Sequence, residues 1–357
     1  MKFKLIILRF LLLIPLIVFG SETDPVKPQE TYYLPVDWVN QIIATKGTHS
    51  YLYAATYFGV YKSEDKGVTW HAENEGLESL ITNGLLVTDR KLYAATDEGV
   101  FMKEISSPLW EKASLSDLFI YSLANLGSTL YAGALDKIWR SRDEGMNWEI
   151  AKEGVGTILA IVATNGCLLA VSYENGVFVS YNKGESWENI GPEDMGARDL
   201  IVTENKLYLA TEEGFMYTSD WNNDWASLNY GLFSKELTTI AVAKDRFYVG
   251  SLLGGVFQSK DYGQGWDPIN TGLNNTNILH LLVDPDDEKR LYAATEGGIY
   301  ITETQGAVWK KSSGLIRVEE NPPLYITPES VRERMKKLGR APPAKEGGGE
   351  AKGEGGH

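Results

Sequence analysis

The hydrophobic positions of this chain recur as short alternating stretches separated by polar turns. Residues 91–104 read KLYAATDEGVFMKE and residues 290–303 read RLYAATEGGIYITE, in which two apolar stretches flank a turn that contains glycine. Such a pattern is typical of a β-hairpin. In the first unit of this kind the pattern predicts strands over residues 39–45, 51–56, 60–63 and 69–72. In the last unit it predicts strands over residues 278–283, 291–295 and 299–302, and an outer strand from 308 onward.

Each unit contains one tryptophan at a nearly constant spacing. These residues are Trp70, Trp110, Trp148, Trp187, Trp225, Trp266 and Trp309, separated by 40, 38, 39, 38, 41 and 43 residues. A fixed period of about 40 to 45 residues is typical of four-stranded propeller blades. Seven such units fit between Val39 and Ser313. The sequence therefore predicts an all-β fold, a seven-bladed β-propeller of four-stranded blades over residues 39–313.

Most of these tryptophans close a version of one phrase, Ser/Thr-x-Asp-x-Gly-x-x-Trp. The three fullest copies are Ser63, Asp65, Gly67 and Trp70; Ser141, Asp143, Gly145 and Trp148; and Ser259, Asp261, Gly263 and Trp266. Weaker copies end at Trp187, at Trp225 with Asp220, and at Trp309, whereas the segment that ends at Trp110 keeps only its tryptophan. Short polar side chains bond to nearby backbone in turns, and glycine adopts a positive φ there. We therefore interpret these residues as structural parts of a turn, and the tryptophans as packing between blades.

The phrase resembles the Asp-box, or bacterial neuraminidase repeat, over about residues 39–313. Among Asp-box proteins, the chain is similar to single seven-bladed propellers that include the photosystem II stability and assembly factor family. That resemblance implies a binding platform without catalysis, with a role in assembling a membrane complex. It also implies that the crossings between blades share one face with the turns that join second and third strands.

We expect that face to be the functional one. Its candidate binding residues are Tyr57, Phe58, Asp97, Glu98, Asp136, Glu174, Glu212, Glu213, Leu252, Leu253 and Glu296. Two interpretations remain open. Acidic residues and glycine are common in solvated turns. Alternatively, the acidic rim recognises a cationic or polyhydroxyl partner, with the apolar residues as contacts.

Catalytic signatures are sparse. Sialidases with Asp-boxes carry an Arg-Ile-Pro phrase, which does not occur here, so a true sialidase is excluded. A glycoside hydrolase or lyase that uses two rim carboxylates remains the alternative, because such enzymes need carboxylates only about 5 to 9.5 Å apart. The histidines at 49, 71, 280 and 357 are far apart in the repeat, and no metal, cofactor or catalytic motif is present. We expect no metal, no cofactor and no catalytic residue.

The N-terminal 21 residues have the pattern of a secretory signal peptide. Lys2, Lys4 and Arg9 precede an apolar run over residues 10–19, which is too short to span a bilayer. An uncleaved anchor from Leu5 is the alternative. Residues 22–38 would form a lead-in, and the single cysteine, Cys167, excludes an intramolecular disulfide. We expect an exported bacterial protein, periplasmic or extracellular, without a transmembrane helix after cleavage.

After the repeats the composition changes. Residues 314–340 are predicted as an extended linker and a short helix over 328–338, with an apolar face formed by Val331, Met335 and Leu338. Such a short helix is marginal alone, so it either docks on the propeller or contacts a partner. The tail over residues 341–357 is rich in glycine and is predicted to be disordered.

The net charge of the chain is −14, and no basic stripe is visible, which excludes nucleic acid as a partner. Together these observations predict an exported propeller scaffold that binds an envelope protein or a surface polysaccharide. Hydrolysis or lysis of a glycan is the alternative function.

Overall fold

The computed structural model describes residues 32–35, 38–45, 51–164, 166–203, 206–244, 246–313 and 316–319. Residues 33–318 form one compact unit, and every regular element in the described ranges is a β-strand. The predicted signal peptide, most of the lead-in, the helix over 328–338 and the tail lie outside these residues.

The strands follow one another along the chain as antiparallel sheets. A two-stranded sheet pairs β1 (Tyr32–Pro35) with the last strand, β28 (Ile316–Glu319). The first four-stranded sheet consists of β2 (Val39–Ala44), β3 (Leu52–Thr56), β4 (Gly59–Ser63) and β5 (His71–Ala72). The second consists of β6 (Thr82–Val87), β7 (Lys91–Thr96), β8 (Gly99–Glu104) and β9 (Glu111–Ser116). A six-stranded sheet then contains β10 (Ile120–Leu126), β11 (Thr129–Ser141), β12 (Glu149–Thr164), β13 (Cys167–Ser172), β14 (Gly176–Ser180) and β15 (Glu188–Asn189).

Three further four-stranded sheets complete the set. The first of them contains β16 (Asp199–Thr203), β17 (Lys206–Thr211), β18 (Gly214–Thr218) and β19 (Ala226–Ser227). The next contains β20 (Leu237–Ala243), β21 (Arg246–Ser251), β22 (Gly255–Ser259) and β23 (Asp267–Pro268). The last contains β24 (Ile278–Asp284), β25 (Asp287–Thr295), β26 (Gly298–Thr302) and β27 (Lys310–Lys311).

These sheets are the blades of a propeller. The innermost strands contact one another in a closed ring, in the order β2, β6, β10, β12, β16, β20, β24 and back to β2. The prediction of seven separate four-stranded blades was wrong in its count, because the structure has six blade sheets: five of four strands and one of six. The third and fourth sequence repeats lie together in the six-stranded sheet.

The long strand β12 causes this fusion. Its first part pairs with β11, at Arg140 opposite Glu149, and its last part pairs with β13, at Thr164 opposite Cys167. Elsewhere a crossing leaves the sheet between an outer strand and the next inner strand. Here Gly154 and Gly156 have φ values of +72° and +68° and redirect the chain without interrupting the strand. Because glycine tolerates these angles, the connection needs no separate loop.

The apolar core lies between adjacent sheets, as expected for stacked blades. Ring closure shows the arrangement: Val39 and Ile42 of β2 pack with Tyr292 and Ile299 of the last sheet, all at 0% exposure. The backbone N–H of Trp38 also donates to the carbonyl of Glu296 at 3.1 Å. Packing and one backbone bond therefore join the last sheet to the first.

In two places a tyrosine on the second strand of one sequence repeat bonds to the box turn of the next repeat. The Tyr93 hydroxyl donates to the carbonyl of Glu144 at 3.3 Å, and the Tyr131 hydroxyl donates to the carbonyl of Lys183 at 2.9 Å. Glu144 and Lys183 have φ values of +59° and +58° in the turn before the outer strand. The equivalent Tyr53 hydroxyl is buried and has no partner among the described residues. Its neighbouring turn, residues 104–109, has lost the phrase and contains no residue with a positive φ.

We expect Tyr131→Phe to lower the free energy of unfolding by about 1 kcal/mol, because it removes one hydrogen bond between blades. The matched control is Tyr53→Phe, which removes a buried hydroxyl without a partner and is expected to be neutral or stabilising. Urea denaturation of both variants measures this difference. Equal losses in the two variants would contradict the assignment of the bond.

Candidate binding surface

The repeated phrase forms a turn between the third and outer strands, which we call the box turn. In the first copy the Ser63 hydroxyl accepts from the N–H of Gly67 and Asp65 accepts from the N–H of Thr69, both at 2.8 Å. The equivalent hydroxyl-to-glycine bonds occur at Ser141 and Gly145, Ser180 and Gly184, Ser259 and Gly263, and Thr302 and Gly306. The hydroxyl and the carboxylate thus each hold a backbone N–H of the turn.

Electrostatics agrees with a local role for the box aspartates. The side chain of Asn147, then its backbone N–H and the Ser141 hydroxyl, lower the pKa of Asp143. The hydroxyl of Ser259 is the largest cause that lowers the pKa of Asp261. A lowered pKa means that these carboxylates are bonded as anions, which is unfavourable for a general acid.

The degenerate boxes show what each residue does. Where Asn222 replaces the glycine, the Thr218 hydroxyl is buried and has no partner among the described residues. Asp220 is exposed in this turn, and the next residue, Trp221, keeps the positive φ of the complete copies at +53°. Asn222, at the position of the glycine, is not among the residues with a positive φ, so this turn keeps only part of the backbone path of the complete copies.

Most of the repeat tryptophans bond to backbone through their indole N–H. Four of them reach a carbonyl at the end of the preceding outer strand: Trp110 to Glu73, Trp225 to Ile190, Trp266 to Leu228 and Trp309 to Ile269. Trp70 and Trp148 donate to the glycine carbonyls of their own boxes, Gly67 and Gly145. Trp70 also donates to the Ser312 hydroxyl of the last sheet at 3.2 Å. The indole nitrogen of Trp187 is buried and has no partner among the described residues. Trp187 lies in the six-stranded sheet. The strand β12, which precedes it, does not end as an outer strand but continues into the next inner strand.

The rim turns, which join second and third strands, carry the predicted acidic residues, and most of these bond within the protein. Asp97 is 5% exposed and accepts from the Ser79 hydroxyl. The partners of the other bonded carboxylates lie in the connections that enter inner strands: Thr157 for Glu174 at 2.6 Å, Arg198 for Glu212 at 2.5 Å, Asn277 for Glu296 at 2.7 Å and Gly156 for Asp136 at 3.2 Å. These carboxylates hold the incoming chain in place.

The two remaining acids differ from this group. Glu98 is partly exposed, and its carbonyl accepts from the N–H of Asp117 at 3.0 Å. Glu213 is exposed, and its carboxylate has no partner among the described residues. Glu213 is therefore the predicted acid that is open to a partner.

The four apolar residues that were predicted as partner contacts differ in exposure. Tyr57 stacks on Trp38 with ring centroids 5.2 Å apart, and both Tyr57 and Phe58 are only partly exposed. Leu252 is partly exposed, whereas Leu253 is 78% exposed. Of these four residues, Leu253 is the one that projects into solvent.

Two exposed aromatic residues that the sequence did not single out lie near Leu253. Tyr230 and Phe233 are 83% and 68% exposed in the crossing that enters β20. The Ser234 hydroxyl donates to the carbonyl of Leu252 at 3.0 Å, and the Phe233 ring packs edge-on against Phe257 with centroids 4.7 Å apart. The Asn229 amide donates to the carbonyl of Glu213 at 3.2 Å, and the ring of the next residue, Tyr230, lies beside Gly265 of the following box turn. We call Glu213, Tyr230, Phe233 and Leu253 the crossing patch.

A second repeated phrase, Asn-x-Gly-Leu, forms the crossings and was also missed. In the crossing patch, Asn229 accepts from the N–H of Phe215 at 2.8 Å, and Gly231 has a φ of +92°. The same bonds recur at Asn74 with Val60 and at Asn270 with Val256. The recurrence of Asn-x-Gly-Leu in three of the repeats is the sequence signal from which these crossings could have been predicted.

The channel at the centre of the ring is a cavity of about 230 Å³. Asp199 in its wall accepts from the N–H groups of Leu200 and Ile240, each at 2.8 Å. Burial raises the pKa of Asp199 to about 6. His280 lies in the wall as well, where burial lowers its pKa to about 4, and its Nδ1 has no partner among the described residues.

Other site types are not visible in the described part of the chain. Its histidine, cysteine and acidic residues form no group able to hold a metal ion. None of its elements is a helix long and apolar enough to cross a membrane. Cys167 is buried and free, and burial raises the pKa of its thiol, so it is an inert core residue.

Comparison with known proteins supports the fold. Residues 188–325 match the family model of the DUF6242 beta propeller domain. No curated protein matches the chain. The extracellular domain assigned to a one-component system of B. thetaiotaomicron is 14% identical, with a TM-score of 0.64 over 76% of this chain and 39% of that one. The chain thus spans about two-fifths of that structure.

Two further structures have the same architecture. The GH74 xyloglucanase from Xanthomonas campestris is 14% identical, with a TM-score of 0.64 over 80% of this chain and 56% of the enzyme. A structure of YCF48 bound to D1 peptide is 15% identical, with a TM-score of 0.63 over 78% of this chain and 96% of that one. At these identities the likeness establishes the β-propeller fold and no more.

Asp199 and His280 are expected to give opposite pH dependences of stability. The raised pKa of Asp199 means that its contribution is full below about pH 4 and is lost as the pH rises through about 6. Relative to the wild type, Asp199→Asn should therefore gain stability over that range, by at most about 3 kcal/mol.

The lowered pKa of His280 means that its contribution to the free energy of unfolding is full above about pH 6.5 and is lost as the pH falls through about 4. Relative to the wild type, His280→Leu should gain stability as the pH falls.

Chemical denaturation at a series of pH values measures both effects. The exposed Asp267→Asn removes the same charge at the surface and serves as the control. A flat difference between Asp199→Asn and the wild type would show that Asp199 is not desolvated.

Proposed function

We propose that this chain is an exported, non-enzymatic propeller scaffold of the Asp-box type, which binds a protein segment of the cell envelope on its crossing face. A surface glycan is the other partner class that the sequence favours. The bound partner contacts the crossing patch, and the rest of the ring serves to hold this patch in shape.

The observation that carries the proposal is the exposure of Tyr230 and Phe233, at 83% and 68%, in the crossing that enters β20, and of Leu253, at 78%, in the turn between β21 and β22. Large apolar side chains that cluster on a surface are typical of interaction sites, and aromatic residues are the usual anchors. Their backbone is fixed by the Asn229 and Ser234 bonds, so the patch is preorganised. Glu213 adds one open negative charge, which favours a partner with a basic residue next to an apolar one.

The rim carboxylates favour binding over catalysis. A glycosidase needs one carboxyl group as an acid and a second as a base or nucleophile. Asp97, Glu174, Glu212 and Glu296 instead bond to side chains or backbone of the connections that enter inner strands.

One neighbouring structure supports a protein segment as the partner. YCF48 bound to D1 peptide is a propeller that aligns with 78% of this chain at a TM-score of 0.63. A propeller that binds a peptide is therefore a suitable model for the proposed function.

The double variant Phe233→Ser and Leu253→Ser tests the proposal. We expect it to lower recovery of the envelope partner about tenfold or more, because hot-spot residues each contribute about 2 kcal/mol. The measurement is capture from a native envelope extract by the tagged chain, with quantitative mass spectrometry. The matched control is Val68→Ser with Met146→Ser, two residues of the box turns that are 56% and 58% exposed.

Equal recovery by the patch variant and the control variant would refute the crossing patch as the binding site. Release of soluble sugars from a polysaccharide panel, abolished by a rim Glu→Gln substitution, would instead establish the hydrolase or lyase alternative.

A further inference from the structure

A cleft lies at the outer edge of the ring, at the junction where the last sheet meets the first. It has a volume of about 320 Å³ and is lined by Val68 of the first box turn and by residues of the last sheet between Ile301 and Ser313. The inner strands of these two sheets contact each other, so this junction closes the ring. We call this space the closure cleft.

A small residue at one repeat position opens the cleft. The third residue after the repeat tryptophan is Leu228 or Ile269 at two other junctions, where its side chain lies against the box glycine of the next sheet. At the closure this residue is Ser312, whose hydroxyl donates to the carbonyl of Gly67 at 2.6 Å. Because serine is smaller than leucine or isoleucine, space remains beside Gly67.

The first residue after the repeat tryptophan also differs at the closure. It is Lys310 in the last repeat, whereas four other repeats have an acid there, namely Glu111, Glu149, Glu188 and Asp267. Lys310 lies directly opposite Ile301 in the β-ladder. Residues two apart on a strand share a face, so Ser312 lies on the same face as Lys310. Since Ser312 bonds to Gly67, this face is the one that forms the cleft.

The walls of the closure cleft are apolar and can be reached from solvent. Val68 and Val308 are 56% and 46% exposed, and Ile301 is partly exposed. Exposed apolar side chains that lie together on a folded surface are typical of binding sites. The cleft therefore offers an accessible surface for the apolar body of a ligand.

The charged groups of the cleft favour an anion. Lys310 and Lys311 are exposed, and neither has an ion-pair partner among the described residues. The lining residue Glu303 is paired with Arg290 at 3.0 Å. Two open ammonium groups in a chain with a net charge of −14 form a local positive region. A carboxylate would accept charge-assisted hydrogen bonds there.

The dimensions of the cleft favour a small ligand. Sites for small molecules have volumes of about 300 to 1,000 Å³, and the closure cleft lies at the lower end of that range. Its lining consists of one residue of the first box turn and one short stretch of the last sheet. The cleft therefore has room for a compact molecule rather than for an extended peptide.

We propose that the closure cleft binds a small organic acid with a compact apolar body, such as a branched or aromatic carboxylate. The apolar body packs on Val68, Val308 and Ile301, and the carboxylate accepts a hydrogen bond from the Lys310 ammonium. This site is independent of the crossing patch, because its residues belong to the last and first sheets.

The methyl signals of Val68, Val308 and Ile301 in ¹H–¹³C spectra of the full chain provide the test. The probes are 4-methylpentanoate and phenylacetate, with their neutral amides as matched counterparts. At least one acid is expected to shift these signals saturably at millimolar concentration and to leave that of Met146, which is exposed on another box turn, unchanged. Its amide is expected to bind about tenfold more weakly or worse, because it has no charge to pair with Lys310.

The variant Lys310→Met removes the charge and keeps most of the apolar stem of the side chain. It is expected to lower the affinity for the acid about tenfold or more and to leave the melting temperature near that of the wild type, because Lys310 is exposed. The matched control is Lys260→Met, which removes an exposed lysine from another box turn and is expected to bind the acid as the wild type does.

Four results would overturn the proposal. Three are unshifted Val68 and Val308 signals with both acids, equal binding of an acid and its amide, and equal affinities of the Lys310→Met and Lys260→Met variants. The fourth is tighter binding of the peptide acetyl-Ala-Ala-Leu than of 4-methylpentanoate, because the cleft would then be a site for a protein segment.

Discussion

One interaction, the buried hydroxyl that accepts from a glycine N–H in the box turn, underlies the rest of the ring. At Ser63 this hydroxyl is 0% exposed and lies 2.8 Å from the nitrogen of Gly67. The bond closes the turn, in which the residue before the glycine has a positive φ, as at Glu144 and Lys183. The carbonyls of Glu144 and Lys183 then accept the tyrosine hydroxyls of the preceding blades. A local turn thus becomes a bond between blades.

Where the phrase is incomplete, individual hydrogen bonds of the turn or between blades are missing. The turn over residues 104–109 has lost the phrase, and Tyr53 next to it is left without a partner among the described residues. In the turn with Asn222, the buried Thr218 hydroxyl likewise has no hydrogen-bond partner among the described residues. Where Trp187 loses its bond, Arg140 and Arg142 pair with Glu149 and Glu185 across the six-stranded sheet. Ionic contacts therefore connect the two repeats that share β12.

The sequence predicted much of the fold because the repeat is regular. The first unit was predicted at 39–45, 51–56, 60–63 and 69–72, and its strands are Val39–Ala44, Leu52–Thr56, Gly59–Ser63 and His71–Ala72. The fusion through β12 was missed because it depends on two glycines whose φ values only the fold determines. The rim was predicted less well than the fold. The sequence shows that Glu174 and Glu213 are both acidic. It does not show that Thr157 donates to Glu174, whereas the carboxylate of Glu213 has no partner among the described residues.

The bonded rim carboxylates hold the connections of the ring, whereas the open Glu213 does not. The free energies of unfolding of Glu174→Ala and Glu213→Ala test it most directly. Glu174 accepts from both the N–H and the hydroxyl of Thr157, at 2.6 and 2.9 Å, so its loss should cost about 1 to 2 kcal/mol. The open Glu213 should change stability by less than about 0.5 kcal/mol. Equal stability of the two variants, or a larger loss at Glu213, would contradict the account.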